Sequence, residues 1–390
     1  MIKATGNFDA AGEATWDALV IGAGPAGALA ARQLAQAGVR VLLVERNAFP
    51  RWKVCSACLN GQALSVLDAI GLEALVPSLG RDRAEGVPPE PRRTLDVAPL
   101  AGRRGALPGA ARLRPSGGRD GRRGALPTGA PGARRGDRGR HTPRPARPPR
   151  SQSCGAARVV LAAGGLGHRC LEHEPVLRTR AATWSRVGAG CDVAAVPDLY
   201  RKATIFMAVA RGGDVGLVRV EDGCLNVAAA FDRDFLRHHG RPRRAASAVL
   251  ATSGFPALAP LDDADWQGTV RLTRTTRPLA AERLFLLGDA TGYVEPFTGE
   301  GMGWALTSAR AVAPLALRAI ERWDPALPRA WSGLHRDLVG HRQRLCRGVA
   351  TLLRHPRLAR MTLDLVALAP AVARLIIGSV NAPALLSRAN

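Results

Sequence analysis

Two short apolar runs, residues 18–21 and 39–44, stand close together near the start of the chain, and between them the apolar period changes. Compact apolar runs of this kind predict buried strands, whereas Leu29, Leu34 and the small alanines from about Pro25 to Ala37 recur at helical spacing. Gly38 closes that helix, so residues 17–46 predict strand, helix, strand. Farther on, ARVVLAAGGLGHRCLE (157–172) predicts another buried strand and a glycine turn. The segments ATIFMAVA (203–210), VGLVRVEDGCLNVAAAF (215–231) and GTVRLT (268–273) are strand-like pieces separated by Gly or Asp turns. The two halves of the middle piece, joined at Glu221-Asp222-Gly223, predict a β-hairpin. Residues 284–287 predict a short buried strand ending at Gly288-Asp289, and Met302, Ala305, Leu306 and Ala309 continue beyond a loop as a helix. The closing region predicts helices with one apolar face at Leu334, Leu338, His341, Leu345, Val349 and Leu352.

One window breaks this patterning. Residues 81–150 hold 18 arginines, six acidic residues, 12 prolines and 12 glycines, with no lysine and no Ile, Phe, Tyr, Trp or Met. Such a stretch cannot bury enough apolar surface to offset its ordering entropy, so 81–156 is expected to lack structure. It supplies about half of the formal net charge of +23. An arginine-rich nucleic-acid arm would carry aromatics to stack on bases and would hang from a terminus, so no nucleic-acid partner is expected. A GC-rich gene read one base out of step yields this alanine, arginine, glycine and proline alphabet, and a shifted frame from near Gly80 to near Ala157 is the expectation.

The rest of the composition, 46% hydrophobic over 390 residues, is that of a globular protein large enough for two or three packed domains. The opening MIKATGNFDAAGEATW has no apolar signal core, and the seven scattered cysteines form no disulfide framework; both set the expectation of a cytoplasmic protein. Cys55 and Cys58 form a lone CxxC with no second ligand pair, so no metal is expected. His168 beside a glycine turn reads as a loop residue. The apolar segment 361–380 carries Asp364, Pro370 and Arg374 and reads as a helix on protein or on a surface. The basic closing helices read as a cap, with a peripheral touch on anionic lipid as the sharper expectation.

Chemistry enters with the glycines. Gly22 allows a tight turn after the first strand, Gly24 lets backbone approach a pyrophosphate, and Gly27 lets helix and strand touch. Pro25 and Ala26 open the helix, whose N-terminal N–H groups suit phosphate. Glu45, about 20 residues after the glycines, stands where a carboxylate can accept ribose hydroxyls, with Arg46 next to it. In the second stretch Asp289 can bind the hydroxyls of a ribityl chain, and Gly299-Glu300-Gly301 leave a second helix N-terminus bare for the anion of a reduced flavin. A nicotinamide dinucleotide needs only the first site; an extended FAD needs both.

On these residues the chain resembles the FAD-dependent family of the p-hydroxybenzoate hydroxylases and geranylgeranyl reductases, over about 17–80 and 157–325. Gly22, Gly24, Gly27 and Glu45 match its FAD fingerprint, Gly288-Asp289 its ribityl motif, and Pro296, Gly299, Gly301 and Met302 the loop facing the isoalloxazine ring. Lys53-Val54-Cys55 resembles the Lys-x-Cys run of the reductase branch, although Ser56 replaces its glycine. Gly164-Gly165 stand where the family has Asp-Gly. The aromatic run of the prenyl reductases and the Trp-x-Trp-x-Ile-Pro run of the halogenases are absent. The resemblance implies an α/β fold: a glutathione-reductase-like, Rossmann-type FAD-binding domain in three pieces (1–80, 157–195 and 281–325), an antiparallel substrate sheet (196–280) and a helical C-terminal cap (326–390). It implies bound FAD, NAD(P)H as a transient reductant, and a small hydrophobic substrate. Reductase and aromatic hydroxylase remain the two enzyme readings, with an inactive shifted product or a nucleic-acid binder through the basic segment as the non-enzyme readings beside them, and no side chain stands out as acid or base.

Overall fold

The computed structural model describes residues 14–49, 51–55, 57–78, 105–108, 157–164, 176–194, 196–202, 204–295 and 299–355. Strand β1 (Trp16–Ile21) runs into helix α1 (Pro25–Gln36), whose start holds the predicted proline and whose end is closed by Gly38 at φ +81°. Strand β2 (Val41–Val44) then pairs parallel with β1, Ala18 opposite Val41. The strand expected to be buried at 39–44 is shorter and half-buried, with Leu43 39% exposed. It lies at the edge of its sheet, and among the described residues nothing pairs with its outer side. Helices α2 (Gly61–Asp68) and α3 (Leu75–Ser78) follow, the first capped by the Asn60 side chain, which accepts from the Ala63 N–H at 3.0 Å.

Strand β3 (Gly105–Pro108) is the one described piece of the arginine-rich window. Where no structure was expected, these four residues pair antiparallel with residues 204–207 at the edge of the second sheet, a position that tolerates Pro108 because one side of an edge strand needs no donors. Strand β4 (Ala157–Ala162) pairs parallel with β1 on the side away from β2.

Strand β5 (Arg178–Ala181) precedes the antiparallel layer, which comprises β6 (Val187–Val193), β7 (Thr204–Ala210), β8 (Gly213–Arg219) and β9 (Leu225–Phe231). The hairpin of β8 and β9 turns as predicted, with Gly223 at φ +84° and the Cys224 N–H donating to Asp222 at 3.1 Å. Helices α4 (Arg233–His239) and α5 (Pro242–Thr252) follow, and Ala245, Ala246, Val249 and Leu250 of α5 share a core with Tyr200, Phe206 and Phe231. Strand β10 (Gln267–Arg271) completes the order β10-β6-β9-β8-β7-β3. The expectation that 157–195 returns wholly to the nucleotide domain is therefore corrected: β6 belongs to the antiparallel layer, paired along its length with β9. Strand periodicity reports burial, and it carries no information on the partner.

Strand β11 (Arg274–Arg277) joins β5 and β14 (Gly292–Tyr293) in a three-stranded sheet. Strands β12 (Ala280–Ala281) and β13 (Leu284–Leu286) return to the first sheet, giving the order β12-β13-β4-β1-β2. Helix α6 (Gly301–Glu321) packs against α1, and α7 (Leu327–His335) places the fully buried Trp331 so that its indole donates to the Leu286 carbonyl at 3.0 Å. A single π-helical segment, Arg336–Gly340, joins α7 to α8 (His341–Leu353). The predicted apolar face is corrected here. The buried positions are Leu327, Trp331, His335, Val339, Gln343, Cys346 and Ala350; Leu334 and Leu338 are half-buried beside them, whereas Leu345 is 41% exposed. The offset from the expected face is one residue both before and after the π turn, at His335 against Leu334 and at Cys346 against Leu345, so it is set already by the face that α7 turns to the core. No described helix is long and apolar enough to cross a membrane; residues 361–380 lie outside the described ones.

Candidate functional site

The glycine turn between β1 and α1 is built by close approach. Gly22 has φ +99°, and a Cβ there would meet the backbone of Ala163 and Gly164 at 3.1–3.3 Å. A Cβ on Gly27 would run into the Gly22 carbonyl oxygen, so the helix can cross the strand only over a bare Cα. Gly24 differs: its Cβ would meet nothing nearer than an Arg51 guanidinium nitrogen at 3.9 Å. The protein leaves that space open, directly at the N-terminus of α1, where no side chain caps the first-turn N–H groups. Open space before uncapped donors fits a pyrophosphate.

Glu45 lies at the end of β2 as expected, and it folds under the turn. Its Oε2 accepts from the Ala23 N–H at 3.0 Å and from Arg51 at 3.3 Å. Arg46 is exposed beyond it. Arg51, which sequence reasoning passed over, is the cation at the mouth of the turn; it lies in a loop and has no periodic neighbours to mark it.

The second motif abuts the first. Gly288 has φ +57°, and a Cβ there would meet the Cβ of Ala26 at 2.8 Å. Its N–H donates to Ser308 of α6 at 2.9 Å. Asp289 accepts from Lys53 Nζ at 2.9 Å, which joins the Lys-x-Cys run to the ribityl motif across 236 positions. That carboxylate holds the Lys53 ammonium above its ordinary range. Gly301 begins α6 with no side-chain cap, and a Cβ there would lie 3.6 Å from the Tyr293 ring. Met302 packs on the nucleotide-domain core. Pro296 lies outside the described residues, as do His168 and Gly165. Gly299 has φ +68° and sits beside Cys58, which is buried, and no group of metal-ligating side chains forms among the described residues. The segment 52–54 closes the gap to the antiparallel layer: the Trp52 indole donates to Asp192 at 2.9 Å, and Val54 lies against Gly190.

Glu295, two residues beyond Tyr293, was not singled out by the sequence reading either. It ties the second motif to a buried charge network. Arg354 donates to both Glu295 oxygens at 2.6 and 2.8 Å, and the Arg186 N–H donates to Oε1 at 3.0 Å. The Arg186 guanidinium meets Asp214 at 2.5 Å and Asp232 at 3.1 Å. Three carboxylates thus share two arginines, which leaves one negative charge uncompensated. Burial pushes Asp214 up to about 6, against the pull of Arg186. The folded chain holds this proton more tightly than the unfolded chain, so the group costs nothing below its ordinary value of 3.8 and its full penalty above about 6. Urea unfolding across that window should show stability falling as pH rises, and Asp214→Asn should flatten the slope by about one proton; an unchanged slope would remove Asp214 as the titrating group.

Comparison with known proteins agrees with this geometry. Residues 15–98 match the family described as FAD binding domain. A menaquinone reductase of Mycobacterium tuberculosis is 45% identical over 56 residues, 14% of this chain and 14% of that protein. The chain thus aligns with only a small part of the length of the curated relatives it matches. Similarity in fold extends much further. A flavoprotein/dehydrogenase from Cytophaga hutchinsonii superposes with a TM-score of 0.66 at 16% identity, over 94% of this chain and 93% of that one. The p-nitrophenol 4-monooxygenase of Pseudomonas putida superposes at 0.61 and 15% identity, over 94% and 97%. An FAD-binding domain whose two glycine turns meet at Ala26 and Gly288, set beside an antiparallel sheet and closed by C-terminal helices, gives this chain the α/β fold of the FAD-dependent enzymes.

Proposed function

We propose that the chain is an FAD-dependent oxidoreductase of the geranylgeranyl reductase type, which moves hydride between flavin and a small to medium hydrophobic molecule. The observation that carries this reading is the contact of Gly288 with Ala26, which brings two uncapped helix N-termini to one place, as a single extended dinucleotide needs. The bound flavin would supply the hydride chemistry. The chain's own residues supply placement: the open space at Gly24 takes the pyrophosphate, with Arg51 beside it as counter-charge, and Lys53 and Asp289 flank the ribityl chain. Tyr293 is held neutral, because burial and the nearby Asp289 push its phenol far above the ordinary range. The likeness to a menaquinone reductase and the Lys-x-Cys run support the reductase reading.

The aromatic hydroxylase reading has its own support, in the monooxygenase fold and in the absence of the prenyl-reductase aromatic run on β8. The shifted-frame reading of 81–156 stays part of the proposal. The family match continues past Gly80 to residue 98, which moves the end of family-like sequence downstream.

One preparation tests these readings together. The purified chain should be yellow, or become so on titration with FAD, and a frame-repaired version should bind the flavin at least tenfold more tightly. The reduced, loaded protein should not consume O₂ in step with substrate; stoichiometric O₂ uptake with oxygen insertion would favour the hydroxylase. Failure of both versions to take up FAD would overturn the flavin reading.

A further inference from the structure

Strand β5 reads Arg-Thr-Arg-Ala and β11 reads Arg-Thr-Thr-Arg, and their register sets Arg178 directly opposite Arg277. Like charges in that position weaken a strand pair, so neither pairing nor core packing explains them. Helix α8 adds Arg344 and Arg347. Burial, together with Arg277 and Arg344, pushes the Arg347 guanidinium below its ordinary range, and burial and Arg271 do the same to Arg274. Arg180 and Arg347 line a cleft of about 280 Å³, with Trp184, Thr273, Arg274 and Thr275 also around it and no acidic residue; the Arg274 guanidinium is engaged there by the Arg271 carbonyl, at 3.0 and 3.1 Å. Glu295 is already engaged by Arg354, and Asp289 by Lys53.

We propose that this cleft binds the phosphate of a nucleotide, with Arg180 and Arg347 as its anchoring residues. Two guanidiniums without an acid match a dianion with several acceptor oxygens, and planar forked donors are suited to phosphate. The threonines provide hydroxyl donors. The volume exceeds that of one phosphate, and Trp184, 43% exposed and covered by the Arg354 guanidinium at 4.8 Å on one face, leaves its other face for a base or ring. Strand β14, paired to β11 with Tyr293 opposite Arg274, leads from this cleft to the loop before Gly299. A nicotinamide nucleotide held here would lie beside the second flavin motif, and this last assignment rests on the proposed function; the phosphate site itself does not.

Calorimetric titration of the full chain with inorganic pyrophosphate, NADPH and NADH tests the proposal. Pyrophosphate should bind with an affinity that falls steeply with salt. The double variant Arg180→Ala/Arg347→Ala should weaken it at least tenfold, and Arg180→Lys/Arg347→Lys should retain part of it. Thermal melting of the alanine variant should be unchanged or raised, since repulsion is relieved, which separates loss of a site from loss of fold. Pyrophosphate held at the Gly24 turn would be indifferent to these substitutions, and equal binding by wild type and the alanine variant would overturn the site. NADPH binding at least tenfold tighter than pyrophosphate, and tighter than NADH, would support the nucleotide assignment; NADPH no better than pyrophosphate would overturn it. Pyrophosphate binding lost in the double variant of a chain that takes up no FAD would leave the site standing while the flavin reading fell.

Discussion

Arg186→Met is expected to lower stability by about 3–5 kcal/mol, the range for breaking a buried ion pair from one side. The Arg186 side chain is 2% exposed and meets Asp214 and Asp232 together. Its loss leaves three carboxylates to share Arg354 alone. Methionine fills similar volume, so the cost comes from uncompensated charge rather than from a cavity. Urea denaturation at pH 7 measures it. Arg186→Lys should fall between, since an ammonium keeps the charge but loses the fork that reaches two carboxylates. Adding Asp214→Leu to Arg186→Met should recover part of the loss. A single variant within about 1 kcal/mol of wild type would mean that the network is neutralised by protons and not by Arg186.

Gly27→Val is expected to abolish flavin loading, with affinity reduced by about two orders of magnitude or more, and to cost about 1–3 kcal/mol of stability as an overpacked contact. Any Cβ at this position enters the Gly22 carbonyl oxygen, so α1 must move off β1 and the turn must open. The companion variant Gly24→Ala separates ligand contact from folding. Its methyl would lie 3.9 Å from the Arg51 guanidinium and near nothing else, so its urea midpoint should match wild type while FAD affinity falls at least tenfold. If Gly24→Ala bound FAD as well as wild type, the pyrophosphate would not lie over this turn.

Much of the nucleotide half is legible along the chain because its signals are local. The period change across residues 17–46 sets β1, α1 and β2, and the glycine spacing sets the turn, since each step is decided within a few residues of itself. The hairpin of β8 and β9 is legible for the same reason, its turn residues lying between two apolar runs. The closing helices were not read correctly because the leucine spacing marks a face one residue away from the one that is buried, where Trp331, His335 and Cys346 meet the core.

What the sequence by itself determined, then, is the first glycine turn, the turn at Gly288-Asp289 and the alternation of strands that fills each layer, all consequences of backbone sterics and of burial acting over short spans. Tertiary structure alone decided which strands share a sheet, that Arg51 rather than Arg46 reaches the turn, that Lys53 meets Asp289, and that Arg186, Asp214, Asp232, Glu295 and Arg354 converge. The physical reason is that polar side chains carry no periodic signature, and the electrostatic free energy that pairs them depends on distance and burial, which exist only once the chain has folded.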